Sequence, residues 1–506
     1  MINILEYLED SAQKNPSKIA FTDFEKEITY SDFLKKSKKI ASSLLLEVNN
    51  RRKPIAVLFD RDIESLITFM AIVYSGNFYV PININLPKHR IDLILKTSKP
   101  ELIITKRKDI VVIKEAENDT QIKIYEEVVN SIIDEKKLKE IRDQMIDNDP
   151  LYTIFTSGST GVPKGVVINH RSVINYIEQF CDLFNFSEET NLGNQAAFDF
   201  DGSVKDIYTT LRNGATMHII PTSLFSFPKN LIDYLNQHKI NTITWSTSAL
   251  RIIENFRAFD YDIPKYIKTI TFSGEIMPIK VLNYWREALP GAMFVNLYGP
   301  TEATVNSLFY IVDREFDSQD ILPIGKVFPN TDVLILNRMK KNVTENEIGE
   351  IYIRGVGLAL GYYNNPKLTK KFFIQNPTNS IYPETVFRTG DLGYVNENGE
   401  FVFVSRNDSQ IKHNGHRIEL GEIELLVNNM EFIDVAICYH DPERDLIVLF
   451  YQAFKNYDLE LLKHLRNHLP KYMLPNKLYQ IEKLPINKNG KIDRLKMKEK
   501  YDNHEL

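Results

Sequence analysis

Short runs of Val, Ile and Phe, each next to a stretch of helical spacing, recur along this chain and narrow the folds open to it. PIAVLF (54–59) precedes a helix-like stretch around Ser65–Ser75, and ELIIT (101–105) follows another. ATMHIIP (215–221), NTITW (241–245) and KTITFSG (268–274) repeat the arrangement. Continuous apolar runs of this length suit strands buried on both faces, and such strands are parallel and joined by crossover helices. The expected class is therefore α/β. At 506 residues the chain is too long for one ordinary core, so two or more domains are expected. The charge-rich stretch from Lys106 to Asp149 reads as a surface elaboration. Near Arg406–Asp408 the texture changes. A short strand-like segment, a Glu-rich helix (Glu419–Asn429), two apolar strands (DVAICYH and LIVLFYQ) and a helix from Leu459 to His468 follow. That is an α+β unit of roughly 100 residues, a size suited to a separate module. The expected division is a large N-terminal domain over 1–407, with sheets flanked by helices, and a small C-terminal domain over 408–506.

Composition removes several function classes. A chain that is 43% hydrophobic and 25% charged has the make-up of a soluble globular protein. Its net charge of −5 offers no footprint for nucleic acid or an anionic membrane surface. The two cysteines, Cys181 and Cys438, stand in no metal-ligand spacing and fit a reducing, cytoplasmic compartment. The N-terminus carries Glu6, Glu9 and Asp10 among Ile2, Leu5 and Leu8, so it reads as an amphipathic helix and not a signal peptide. No uncharged apolar run approaches the roughly 20 residues of a membrane span.

The most informative stretch is Thr156-Ser157-Gly158-Ser159-Thr160-Gly161-Val162-Pro163-Lys164-Gly165, directly after the strand-like LYTIF. Its glycines let backbone approach an anion closely. Hydroxyls and successive backbone N–H groups can donate to phosphate oxygens, and Lys164 adds a positive charge. A Walker-type NTPase is excluded by spacing: Pro163 stands where that motif needs its second glycine, and Gly165 follows the lysine.

This segment resembles the phosphate loop of the adenylate-forming superfamily, which includes acyl-CoA synthetases, luciferases and the adenylation domains of nonribosomal peptide synthesis. The resemblance runs in order from ITYSDF (28–33) to NGKIDR (489–494). It implies a large N-terminal domain and a small mobile C-terminal one, with ATP and Mg²⁺ as cofactors. In Asn296-Leu297-Tyr298-Gly299-Pro300-Thr301-Glu302 it places Tyr298 against adenine, Thr301 near the α-phosphate and Glu302 on Mg²⁺, roles suited to an aromatic ring and a hard oxygen donor. Thr156, Ser157, Gly158, Ser159, Thr160 and Lys164 would hold phosphates, and Asp391 in Arg388-Thr389-Gly390-Asp391 would hold ribose. Arg406 falls near ribose and phosphate, with Asp408 as hinge. Lys491 is the implied catalytic lysine, a cation that stabilises charge building on the α-phosphate. The loop Lys412-His413-Asn414-Gly415 would serve thiol transfer after rotation about Asp408. The chain departs from the family pattern at Ser405, where a glycine is usual, and at Leu360, where a basic or polar residue is common.

Asp201 lies where amino-acid-activating members hold an aspartate for the substrate ammonium. Read alone, it is equally a helix cap. The other pocket positions are Gly202, Lys205, Thr244, Thr271, Ser273, Leu297, Val305 and Asn306. Lys205 has two readings: a partner for an acidic substrate side chain, or a residue turned outward to pair with Asp206 or another acid. Stand-alone length and FSGEIMP also resemble D-alanine–carrier protein ligases. The expected activity is ATP-dependent activation of an amino acid as aminoacyl-AMP, then transfer to the phosphopantetheine thiol of a separate carrier protein, or to coenzyme A. Two alternatives are an acyl- or aryl-CoA synthetase and a non-catalytic nucleotide-binding protein.

Overall fold

The apolar runs are strands, and they build two large mixed sheets. The computed structural model describes all residues except Asn49, 115–119, 159–160, 318–319, 407–409, Glu443, 486–491, His504 and Leu506. One sheet has seven strands in the order Gly361–Tyr362, Lys164–Asn169, Pro150–Thr156, Phe78–Asn83, Pro54–Phe59, Leu102–Thr105 and Ile122–Ile124. The last five run parallel, and the first two pair antiparallel. The second has nine strands, with a parallel centre of Met293–Tyr298, Thr269–Ser273, Thr242–Ser246, Asn191–Asn194, Thr216–Ile219 and Ile19–Thr22. Its edge strands Leu308–Ile311, Lys326–Val327 and Glu27–Thr29 are antiparallel.

Helices cover these sheets as the apolar runs demand. Eleven of the twelve residues of Ile63–Tyr74 are buried, so this helix is enclosed on every side. Its Phe69 stacks on Tyr79 at 4.3 Å, and the Tyr79 hydroxyl bonds that of Tyr208 at 2.9 Å. Tyr79 belongs to the first sheet and Tyr208 to helix Gly202–Asn213, whose Asp206 reaches Thr244 of the second. One continuous core results.

Two features differ from the reading of parallel strands throughout. Thr331–Leu336, Gly349–Gly355, Thr385–Val395, Phe373–Gln375 and Phe401–Arg406 form a wholly antiparallel sheet. The stretch 106–149 also does more than decorate the surface. Ile122–Ile124 adds an edge strand, and Tyr125, Val128, Leu138 and Met145 enter the main core. Four apolar residues scattered among charges carry too weak a period to be read as core.

Beyond residue 410 the elements are a hairpin (Gln410–His413 and His416–Glu419), helix Leu420–Asn428, strands Val435–Asp441, Leu446–Gln452 and Lys477–Gln480, and helices Asp458–His468 and Arg494–Asp502. Their apolar residues cluster with one another, from Ile411 to Tyr501. The segment meets the rest of the chain through polar contacts, among them the buried Arg90–Glu422 pair. Asp408 lies outside the described residues.

Candidate active site

The carboxyl ends of parallel strands, where α/β sheets hold ligands, carry most of the predicted residues. Strand Pro150–Thr156 pairs antiparallel with Lys164–Asn169, which follows it in the chain. The glycines between them are needed: a methyl on Gly158 would meet the Val162 carbonyl oxygen at 2.1 Å, and Gly161 has φ +76°. Thr156 Oγ1 is buried without a hydrogen-bond partner among the described residues. Ser157 Oγ donates to the Arg417 carbonyl at 2.6 Å, so a segment from beyond residue 410 covers the loop. Ser159 and Thr160 lie outside the described residues.

Glu302 is fully buried in the turn Thr301–Ala303. Its Oε1 accepts the Tyr362 hydroxyl at 2.6 Å and lies 3.4 Å from Lys164 Nζ, while Oε2 accepts from Arg417 Nη1 at 2.7 Å. Burial alone would raise its pKa. Arg417, Lys164 and the Tyr362 hydroxyl outweigh burial and hold it at about 2. Lys164 moves the other way, pushed down to about 8 by burial and by Arg417 against the pull of Glu302. The site therefore holds an ionised carboxylate between two cations in a dry environment.

Asp391 and Arg406 pair on neighbouring antiparallel strands at 2.5 Å, and the Tyr298 hydroxyl donates to the other Asp391 oxygen. Lys412 Nζ stands 5.7 Å from the centre of the Tyr298 ring, and burial lowers its pKa. Tyr298, Asp391, Arg406 and Lys412 thus converge from strands far apart in sequence.

Asp201 immediately precedes helix Gly202–Asn213, yet its side chain makes no cap hydrogen bond. Burial raises its carboxyl pKa, opposed by the Thr301 hydroxyl, Lys205 and Lys412. Thr244 and Thr271 stand opposite each other on adjacent parallel strands, as do Ser246 and Ser273. Residues in such register share a face, and Leu297 is two residues beyond Val295, the partner of Thr271 on the next strand. Thr304 and Val305 both have positive φ, 54° and 66°, a strained backbone for β-branched residues. Their turn is tied by Thr304 Oγ1 to the Gly357 carbonyl at 2.6 Å and by Tyr176 to Asn306 Oδ1 at 2.9 Å. Gly202, Lys205, Leu297, Val305 and Asn306 are all buried.

Sequence reasoning missed three participants. Tyr362 and Arg417 hold Glu302. Glu275 accepts from the Gly415 N–H at 2.7 Å and anchors the 412–415 loop. Nothing local distinguishes these residues, although Glu275 lies within FSGEIMP. Lys491 lies outside the described residues.

The sequence pattern described as "AMP-binding enzyme" matches residues 8–363. A D-alanine–D-alanyl carrier protein ligase of Bacillus licheniformis is 31% identical over 98% of this chain and 99% of its own. Gramicidin S synthase 1 of Brevibacillus brevis is 29% identical over 98% of this chain, which spans 44% of that protein. In fold, the Vibrio cholerae adenylation domain AlmE, solved with glycyl-adenosine-5′-phosphate, superposes with a TM-score of 0.84 at 20% identity, covering 98% of each chain. The chain belongs to the AMP-binding enzyme family.

Proposed function

We propose that this chain uses ATP to activate the carboxylate of an amino acid and passes the acyl group to the phosphopantetheine thiol of a separate carrier protein. In the first step a substrate carboxylate oxygen attacks the α-phosphorus and the bond to pyrophosphate breaks, giving aminoacyl-AMP. In the second the thiol attacks the acyl carbon, and AMP leaves. The observation that carries this reading is the buried carboxylate of Asp201, uncapped and beside Thr301, in the field of Lys412, which also faces Asp391 and Arg406. A carboxylate so placed suits a substrate ammonium, and the Tyr298 ring and Asp391 suit adenine and ribose. The carrier ligase and peptide synthetase relatives support a carrier thiol as acceptor.

Glu302 fits a role in holding Mg²⁺, since it is ionised and offers hard oxygen donors; bound there, the ion would offset charge on the ATP phosphates. Both Glu302 oxygens are engaged here, one by Arg417. We read the segment beyond 408 as a domain that turns about Asp408, with Lys491 serving adenylation and the 412–415 loop serving transfer. Its self-contained apolar clusters support that reading.

The test is amino-acid-dependent ATP–pyrophosphate exchange over L- and D-amino acids, with aryl and fatty acids alongside. Exchange with an amino acid, lost in Asp201→Ala, is the expected result. Exchange confined to acids without an amine would move the chain to acyl- or aryl-CoA synthesis and overturn the proposal.

A further inference from the structure

A second cluster of donor atoms, sharing no residue with the group around Glu302, gathers at the tip of the hairpin Gln410–His413 and His416–Glu419. His413 Nδ1 lies 3.0 Å and His440 Nε2 2.9 Å from the same oxygen, Asp445 Oδ1. These three atoms all lie within 4.8 Å of one another, and no other trio of His, Cys, Asp or Glu does so among the described residues. His413 ends the first hairpin strand, His440 is next to last in strand Val435–Asp441, and Asp445 immediately precedes strand Leu446–Gln452. The two imidazole centres are 6.0 Å apart and the rings are inclined at 77°, so they meet the carboxylate through nitrogen and do not stack. His413 is buried, while His440 and Asp445 are half-buried and keep the cluster open to solvent on one side.

Charge and hydrogen bonding both suit a cation at this point. Burial would raise the Asp445 carboxyl, but His413 and His440 outweigh it and hold the group well below the usual carboxylate range, so it is ionised. Its other oxygen, Oδ2, lies 3.6 Å from Arg251 Nη1 in helix Thr247–Asn255. That guanidinium orients the carboxylate from behind and leaves Oδ1 to the histidines, as outer partners of metal ligands do. Arg251 also faces Glu275, a second acid in the field of Asp445. One guanidinium between two carboxylates leaves negative charge for a further cation to offset. His413 Nε2 stands 2.8 Å from the Asn414 amide. With the amide oxygen turned to the ring, Asn414 accepts the Nε2 proton and leaves the Nδ1 lone pair on the Asp445 side.

Distance and donor type then select the ion. A tetrahedral ion with bonds of about 2.0–2.2 Å to imidazole nitrogen and carboxylate oxygen sets its ligand atoms about 3.3–3.6 Å apart. The two contacts here are a few tenths of an ångström shorter, a gap that small side-chain rotations open. Two imidazoles and a carboxylate suit Zn²⁺ or Co²⁺, whereas Mg²⁺ favours oxygen donors and water. We propose that His413, His440 and Asp445 bind one Zn²⁺, with a fourth position open to solvent, at a site separate from the Mg²⁺ position read at Glu302. When filled, it ties the 412–415 loop to the strands behind it, because His413 belongs to that loop and its two partners do not.

Co²⁺ is the probe for this site, since its visible absorption reports coordination number where Zn²⁺ is silent. The full chain, freed of metal with a chelator, is titrated with Co²⁺ in excess Mg²⁺. One Co²⁺ per chain with an intense four-coordinate spectrum, displaced by one Zn²⁺, is the expected result. Asp445→Asn and His440→Gln should each weaken Co²⁺ binding by at least about 100-fold, the upper end of what losing even an outer partner costs. Their metal-free thermal midpoints check that both variants fold. The competing pair is His464 and His468, four residues apart on helix Asp458–His468 with ring centres 4.2 Å apart. His464→Gln should leave the spectrum unchanged. Loss of the spectrum in His464→Gln, with retention in Asp445→Asn and His440→Gln, would overturn the proposal. So would the lack of a four-coordinate spectrum from the wild-type chain, a result that needs no variant to fold.

Discussion

Replacing Arg417 with methionine removes one of the two cations on Glu302 and keeps most of the side-chain volume. The lost contact is the 2.7 Å bond from Nη1 to Oε2, with Glu302 fully buried and Arg417 partly so. Breaking a buried pair outright costs about 3–5 kcal/mol. Here Lys164 at 3.4 Å and the Tyr362 hydroxyl at 2.6 Å stay on the carboxylate, so the expected loss is about 2–3 kcal/mol. That loss falls on one junction, because Glu302 sits in the turn Thr301–Ala303 and Arg417 in strand His416–Glu419. The segment 410–428 should open more often over the site while the Thr331–Leu336 sheet stays as protected as before. Hydrogen–deuterium exchange reads such local opening. At 1.4 kcal/mol per factor of ten, peptides from 410–428 should exchange about 30–150-fold faster. In a cycle with Glu302→Gln, the two substitutions should show a coupling of at least about 1 kcal/mol. Exchange of 410–428 within about twofold of wild type would refute the reasoning, because the pair would then contribute nothing to seating the segment.

Gly158→Ala forces a methyl to 2.1 Å from the Val162 carbonyl oxygen, so the turn held by Gly161 N–H to the Gly158 carbonyl at 2.9 Å must open. Such overpacking costs about 1–3 kcal/mol, confined to the loop; an ATP titration should weaken at least about tenfold while the thermal midpoint moves by only a few degrees. His170 is fully buried, its Nδ1 accepting from the Ile4 N–H at 3.3 Å and its Nε2 unpartnered among the described residues; burial pushes its pKa down to about 3. The folded pKa lies below the unfolded value of 6.5, so this stability is complete above 6.5 and is lost as pH falls toward 3. The thermal midpoint should therefore drop below pH 6.5, and His170→Gln should flatten that arm.

What the sequence discloses and what it withholds follow from range. The strand 54–59, the turn after 156 and the break near 406 are written in consecutive residues, through apolar runs, glycine spacing and a change of texture. From sequence Asp201 fits a cap or a ligand, because both roles place an acid before a helix; in the structure its side chain makes no cap bond. Tyr362 and Arg417 are 60 and 115 residues from Glu302, and no local pattern announces that three such segments share one carboxylate. Lys205 shows the same limit at shorter range, since a long side chain reaches either way until its neighbours are known. Its buried ammonium lies in the field of Asp206 first and of Asp201 second. The functional consequence lies in these distant pairings. Glu302 by itself reads as a metal ligand, but its Oε2 is taken by Arg417 in this arrangement. A guanidinium and a metal ion on that one oxygen would bring two positive charges close together, which their mutual repulsion disfavours. If Glu302 were to hold the ion, Arg417 would be held less tightly by the shared carboxylate, which makes this pair a charge-based link between the seating of the 410–428 segment and the chemistry beneath it.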